Sequence, residues 1–193
     1  MSQLPVNPLQ GLIKRAAQTL PATTGKVAVQ QDRIDRRRGQ VVILADISAS
    51  MGGPAAGDKR KIDILRDAIV GVTQSTSARV FVFSNTAREV HAIPEPENNT
   101  NLAGALLHVQ RLDPGVTLVI SDGQPDNEKA ALDAARQFRG VIDVLYIGPE
   151  SDHAAINFMK RLAAAAGGDV RTHDVARLGN SQQLLGHIAG LLR

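Results

Sequence analysis

The sequence predicts an α/β, doubly wound fold: a mainly parallel six-stranded sheet with one short antiparallel edge strand and helices on both faces. Three observations carry this expectation. Short apolar runs rich in Val, Ile and Leu recur along the chain, with the continuous character of strands buried on both faces. Segments with apolar residues at helical spacing separate them, and such alternation suits crossover connections between parallel strands. Gly, Pro, Asn and Asp punctuate the junctions. At 193 residues the chain has the length of one domain with a short appendage, and its 43% hydrophobic content allows a sizeable core. Aromatics make up 3% and Trp is absent, so that core is built from Val, Ile, Leu and Ala.

The elements follow in order. The first strand is Val41-Val42-Ile43-Leu44-Ala45, stopping at Asp46, and Gly52 with Gly53 lets the chain turn sharply afterwards. Residues 54–58 read as a loop, and Ile62, Leu65, Ile69 and Val72 mark an amphipathic helix. Residues 79–84 form the second strand. After a turn at Asn85, the alternating segment Glu89-Val90-His91-Ala92-Ile93 is the expected antiparallel edge strand. A polar loop leads to a helix carrying Leu102, Ala105, Leu106 and Val109, closed by Asp113-Pro114-Gly115. The strand Val116-Thr117-Leu118-Val119-Ile120 runs into Ser121-Asp122-Gly123. A helix starting near Asn127 places Leu132, Ala135 and Phe138 on one face. Residues 141–147 are a further buried strand between glycines. The helix over residues 152–166 stops at Gly167-Gly168. A short strand at Val170-Arg171-Thr172 and a helix with Leu184, Leu185, Ile188 and Leu191 finish the chain.

Charge divides the sequence in two. Residues 1–40 hold seven Lys or Arg against two Asp, a balance of +5, whereas residues 41–193 hold 15 basic against 17 acidic residues, a balance of −2. Residues 1–38 therefore read as a basic arm and residues 39–193 as the domain. Leu9, Leu12, Ile13 and Ala16 suggest one short amphipathic helix in the arm, and Arg33, Arg36, Arg37 and Arg38 cluster after it. The arm either contacts nucleic acid weakly or packs on the domain's flank. Asp32 and Asp35 inside the cluster, and no aromatic residue to stack on a base, favour packing. With no cysteine, disulfides and thiolate metal sites are excluded. No apolar run approaches the roughly 18 residues of a membrane span, and the broken stretch over residues 9–20 is no signal peptide. A cytoplasmic location is the expectation.

The chemistry concentrates where three apolar or polar runs end. Asp46, Ser48 and Ser50 alternate, so an extended segment would aim a carboxylate and two hydroxyls at one point. Thr100 precedes a helix, and Asp122 ends the strand after it. Oxygen-bearing side chains converging at strand ends suit a hard cation. In doubly wound sheets, ligands bind at the carboxyl ends of strands where the strand order reverses.

This ordered set, Asp-Ile-Ser-Ala-Ser, then Thr-Asn-Leu, then Ser-Asp-Gly, resembles the metal-ion-dependent adhesion site of von Willebrand factor A (VWA) domains, from about residue 39 to the C-terminus. The resemblance implies a VWA or Rossmann-like sheet and metal-site roles for Asp46, Ser48, Ser50, Thr100 and Asp122. It implies direct ligation by the Ser and Thr oxygens, with the Asp residues acting largely through water. It further implies an intracellular, bacterial-type single-domain protein in which a partner's Asp or Glu completes the metal's coordination. Such proteins work as adaptors or subunits of larger assemblies, beside AAA+ ATPases or in stress and conflict systems. The expected ion is Mg²⁺, with Mn²⁺ or Ca²⁺ as alternatives, since an all-oxygen set disfavours zinc and copper. A nucleic-acid-associated scaffold using residues 1–38 is the second reading, and a metal-dependent hydrolase the third.

No catalytic residue and no small-molecule substrate are expected. Neither His nor Glu lies in the three motif segments, as proton transfer in a hydrolase would need. Gly52 and Gly57 with Lys59 only superficially match a phosphate-binding loop, because Asp58 interrupts the required Gly-Lys-Ser/Thr order. His91, His108, His153, His173 and His187 are dispersed and read as surface or ordinary polar positions. Asp126 is expected to cap the following helix. The charged segment 58–61 is longer than the loop usual at this point in VWA domains, so partner preference is not carried over.

Overall fold

A computed structural model of the chain describes residues 31–32, 34–175 and 181–192, and Asp35–Arg193 forms one unit. Six strands make one sheet: β1 (Val41–Asp46), β2 (Arg79–Phe83), β3 (Ala87–Glu89), β4 (Val116–Ser121), β5 (Val141–Tyr146) and β6 (Val170–Thr172). Their spatial order is β3-β2-β1-β4-β5-β6, parallel throughout except for the antiparallel pair of β2 and β3. The chain winds outward from β1 to one edge, then returns to β4 and winds to the other. The order therefore reverses between β1 and β4, as the sequence leads one to expect.

Alternation along β1 decides which helices cover which face. Val42 and Leu44 pack with Phe81, Phe83, Val119 and Ile142 beneath α2 (Leu102–Gln110), α3 (Glu128–Ala135) and α4 (His153–Ala165). Ile43 and Ala45 point the other way, toward α1 (Lys61–Ser75) and α5 (Ser181–Leu191), whose Leu65, Ile69, Leu184 and Ile188 complete the second core layer. β4 and β5 are buried along their full lengths. Each Val, Ile or Leu so covered contributes roughly 1.5–3 kcal/mol relative to exposure. Local chemistry agrees with this layout. Asn101, Asn127 and Asp152 cap α2, α3 and α4 by accepting a hydrogen bond from the amide three residues on. Gly167, at φ +73°, supplies the left-handed turn that ends α4.

Two expectations about local structure are corrected. The edge strand is Ala87–Glu89 and not residues 89–93. The turn after β2 is tight, so pairing starts at Phe83 with Ala87 and ends at Phe81 with Glu89. Beyond the bond from the Val90 amide to the Val80 carbonyl, the chain leaves the sheet. Arg66 then holds it by donating to the carbonyls of Ile93 and Pro94. Secondly, the segment carrying the serines is extended only as far as Ser48. A 3-10 turn over Ala49–Gly52 follows, driven by burial of Met51 and closed by bonds from Met51 to Ser48 and from Gly53 to Ser50. Gly53 itself is extended, at φ −65° and ψ 163°, and a Cβ there would lie 3.0 Å from the Ser50 carbonyl oxygen.

The candidate arm helix at Leu9, Leu12, Ile13 and Ala16 lies outside the described residues, as does Arg33. Arg36 and Arg37 belong to the compact unit, which starts at Asp35. Arg36 donates to the carbonyls of Arg139, Gly140 and Ala166, joining the start of β5 to the end of α4. Arg37 pairs with Asp143, a fully buried carboxylate on β5, at 2.5 Å, and donates to the Leu191 carbonyl. Both guanidinium groups are thus engaged internally.

His173 also departs from the expectation of surface histidines. It is buried, its ring meets that of His187 edge-on at 5.1 Å, and neither ring nitrogen of His173 has a hydrogen-bond partner among the described residues. Burial first, and then His187, holds its pKa below the ordinary 6.5. A depressed pKa means that the unfolded chain binds the proton more readily. Stability from this group is present above pH 6.5 and is lost as the pH falls below it. Denaturant midpoints should therefore fall more, or rise less, from pH 7.5 to pH 5.5 in wild type than in His173→Phe. An unchanged slope in the variant would assign the acid sensitivity elsewhere. No helix among the described residues is long and apolar enough to cross a membrane.

Candidate functional site

The site forms where β1 and β4 end side by side. Their register pairs Ala45 with Ile120, so the next residues, Asp46 and Ser121, are neighbours across the ladder. Ser121 Oγ donates to Asp46 Oδ2 at 2.6 Å, and the Ser48 amide donates to Asp46 Oδ1 at 2.7 Å. Asp46 is fully buried, and the donors it meets are the neutral hydroxyls of Ser121 and Ser48 and the Ser48 backbone amide. Burial pushes its pKa up to about 6, against the downward pull of those hydrogen bonds.

The 3-10 turn brings Ser50 back over the strand end. Ser48 Oγ and Ser50 Oγ lie 3.0 Å apart, and Ser50 Oγ donates to Asp122 Oδ1 at 2.8 Å. Asp46, Ser48, Ser50 and Asp122 are thereby linked in one chain of hydrogen bonds. The other oxygen of Asp122, Oδ2, accepts from Lys61 Nζ at 2.5 Å, with the carboxylate 1% and the lysine side chain 15% exposed.

Thr100 lies on a different loop, outside the hydrogen-bonded set of Asp46, Ser48, Ser50 and Asp122. Asn99, at φ +73°, turns the chain into it, a conformation asparagine tolerates better than most residues. The Thr100 amide donates to Asp126 Oδ2, and the Asp126 amide donates back to the Thr100 carbonyl. Asn101 is tied to the end of β2 through the carbonyls of Ser84 and Asn85. Thr100 is half-buried, and no hydrogen bond joins its hydroxyl to the Asp46–Asp122 chain among the described residues. The helix cap next to it is Asn101, so the Thr100 hydroxyl is not spent on capping.

Asp126 is corrected from helix cap to clamp. Asn127 caps α3, while Asp126 holds the Thr100 loop against the loop after β4. The rim on the other side is acidic and basic in turn. Glu97 runs parallel to Ser48, its amide bonded to the Ile47 carbonyl, and its carboxylate accepts from Ser84 Oγ and Arg88. Arg60 donates to both Asp63 and Glu95, and its hydrogen bonds hold the Asp63 carboxyl down at about 2.

Sequence reasoning missed two participants. Ser121 is the one hydroxyl bonded to the buried carboxylate from across the ladder, and its signal is a polar residue at the last position of an otherwise apolar strand. Lys61 is visible in the sequence only as one cation among Lys59, Arg60 and Lys61. Which of the three turns inward is settled by the hairpin-like loop before α1, through the bonds from Ala55 to Lys59 and from Lys61 to Gly53.

The residues fit a hard cation chemically. The acceptor side chains offer oxygen only, one carboxylate is buried without a charged partner among the described residues, and the other already holds an ammonium group as a stand-in cation. Among the described residues, no three His, Cys, Asp or Glu side chains gather as a metal cluster, so any ion here would depend on hydroxyl oxygens.

No family model and no curated protein matches the chain. Solved structures do resemble it. The VWA domain of SpRpn10 aligns with a TM-score of 0.56 over 75% of this chain and 93% of that one, at 11% sequence identity. The six-stranded, mainly parallel sheet with one antiparallel strand and flanking helices is a VWA-like fold.

Proposed function

We propose that the chain is a metal-ion-dependent protein-interaction module. A divalent cation, Mg²⁺ in a cytoplasmic setting with Mn²⁺ or Ca²⁺ as substitutes, would be held by Ser48, Ser50 and Thr100, with Asp46 and Asp122 supporting it. The observation that carries this reading is the hydrogen-bonded set Asp46–Ser48–Ser50–Asp122 at the reversal of strand order. A bound divalent ion supplies an electrophilic centre able to take a carboxylate. The protein's own residues orient that centre: Ser121 and the Ser48 amide fix Asp46, and Asp126 fixes the Thr100 loop.

The balance of charge favours binding over hydrolysis. Three of the five side chains are neutral, so the ion would remain poor in anionic ligands and attract an Asp or Glu from a partner protein. The motif segments hold no His or Glu to serve as a proton-transfer group. Arg36 and Arg37 are engaged within the unit, which weakens the case for a nucleic-acid scaffold built on the basic cluster. An adaptor or subunit role in a larger assembly follows from the module reading.

Capture on the immobilised full-length chain tests the proposal. A partner retained in Mg²⁺ should be released by chelator and should not be retained by Asp46→Ala. Retention that ignores both chelator and the substitution contradicts it.

A further inference from the structure

We propose, building on the metal-site reading above, that Lys61 is a resident counter-cation that competes with the divalent ion for Asp122. Lys61 stands at the first position of α1, with its amide bonded to the Gly53 carbonyl at 3.0 Å. The loop leading to it is closed by the Pro54–Arg60 bridge and by the bond from Ala56 to Val175. Its backbone is therefore held beside the serine turn. The three consecutive cations diverge: Lys59 goes outward to Asp67, Arg60 to Asp63 and Glu95, and Lys61 inward to Asp122. A surface lysine gains little from an exposed pair. This one instead neutralises a carboxylate that is almost wholly buried, where an unpaired charge is costly.

The consequence is an exchange. A divalent ion that draws on Ser50 and Asp122 meets the ammonium on the same carboxylate, and like charges at such range in a partly buried site repel strongly. Entry of the metal must release Lys61 toward the rim. Without metal, Lys61 keeps Asp122 neutralised and the loops together. The site then alternates between a self-paired form and a metal-loaded form, with metal affinity lowered by the charge it has to displace.

Mn²⁺ titration of the full-length chain, followed by the paramagnetic resonance signal of the free ion, tests this alongside thermal melting. Lys61→Met and Lys61→Gln should bind Mn²⁺ at least about tenfold more tightly than wild type, whereas Lys61→Arg should stay close to it. The two neutral variants should melt lower than wild type without metal and gain more from added Mn²⁺. Lys61→Gln keeps a hydrogen-bond donor for Asp122, so it serves if Lys61→Met does not fold. Equal or weaker Mn²⁺ binding in the neutral variants, with binding still lost in Asp46→Ala, overturns the competition and leaves the metal site standing. No Mn²⁺ binding by wild type or any Lys61 variant overturns both.

Discussion

Replacing Arg37 with Met is expected to destabilise the domain by about 3–5 kcal/mol, because it leaves the fully buried Asp143 carboxylate without its cation. For a domain of this size, that corresponds to a fall in Tm of roughly 10 °C. The size of the effect follows from placement. Asp143 lies in the middle of β5, a strand buried along its length, and its other acceptor contact is the Asp169 amide. Adding Asp143→Asn to Arg37→Met should recover much of the loss, since the uncompensated charge goes with it. Removing residues 1–38 should carry a similar penalty, as Arg36 and Arg37 leave with the arm. Arg38, which is exposed and pairs with Asp35 among the described residues, should be replaceable without measurable change. Equal Tm values for Arg37→Met and wild type would show that the pair does not hold the sheet.

Thr100→Ala is expected to reduce metal-dependent partner binding by tenfold or more, with the fold intact. The substitution deletes one proposed ligand of the ion and leaves the cap of α2 in place, because Asn101 performs the capping. The clamp from Asp126 acts on the Thr100 backbone, so it survives as well. A partner variant with its Asp or Glu changed to Asn or Gln should lose about as much. The two losses should not add, because each breaks the same carboxylate–metal bridge. In chelator, wild type and Thr100→Ala should become indistinguishable, because neither then holds the ion that attracts the partner's anion. Additive losses in the double-mutant cycle would place the partner's carboxylate away from the metal.

What the sequence made legible depended on the physics of each element. β1, β4 and β5 are buried on both faces and largely apolar, and such runs have few alternatives to a central parallel strand. Asp46 and Asp122 stand out because a carboxylate at the end of such a run needs a reason. The mainly parallel sheet followed from strand–helix alternation, and the position of the reversal from the resemblance to VWA domains. The edge strand was displaced because β3 is only three residues long and is fixed by a tight turn, a tertiary choice that alternation in residues 89–93 cannot report. The convergence of Ser50 was expected from an extended segment and arises instead from a 3-10 turn set by burial of Met51. Ser121, Lys61 and Asp126 act through partners 75, 61 and 26 residues away, and pairings of that range leave no local pattern. Arg37 is the same case, 106 residues from Asp143 and hidden in what composition marks as a basic tail.

One divalent ion is proposed to be held by Ser48 and Ser50, which follow β1, and by Thr100 on the loop before α2. Anomalous diffraction from crystals of the full-length chain grown with Mn²⁺ tests it most directly. A single strong peak is expected, bounded by the side-chain oxygens of Ser48, Ser50 and Thr100 at about 2.0–2.3 Å, with Lys61 turned away from Asp122. A Mn²⁺-saturated crystal with no peak there, and Lys61 still paired with Asp122, would contradict it.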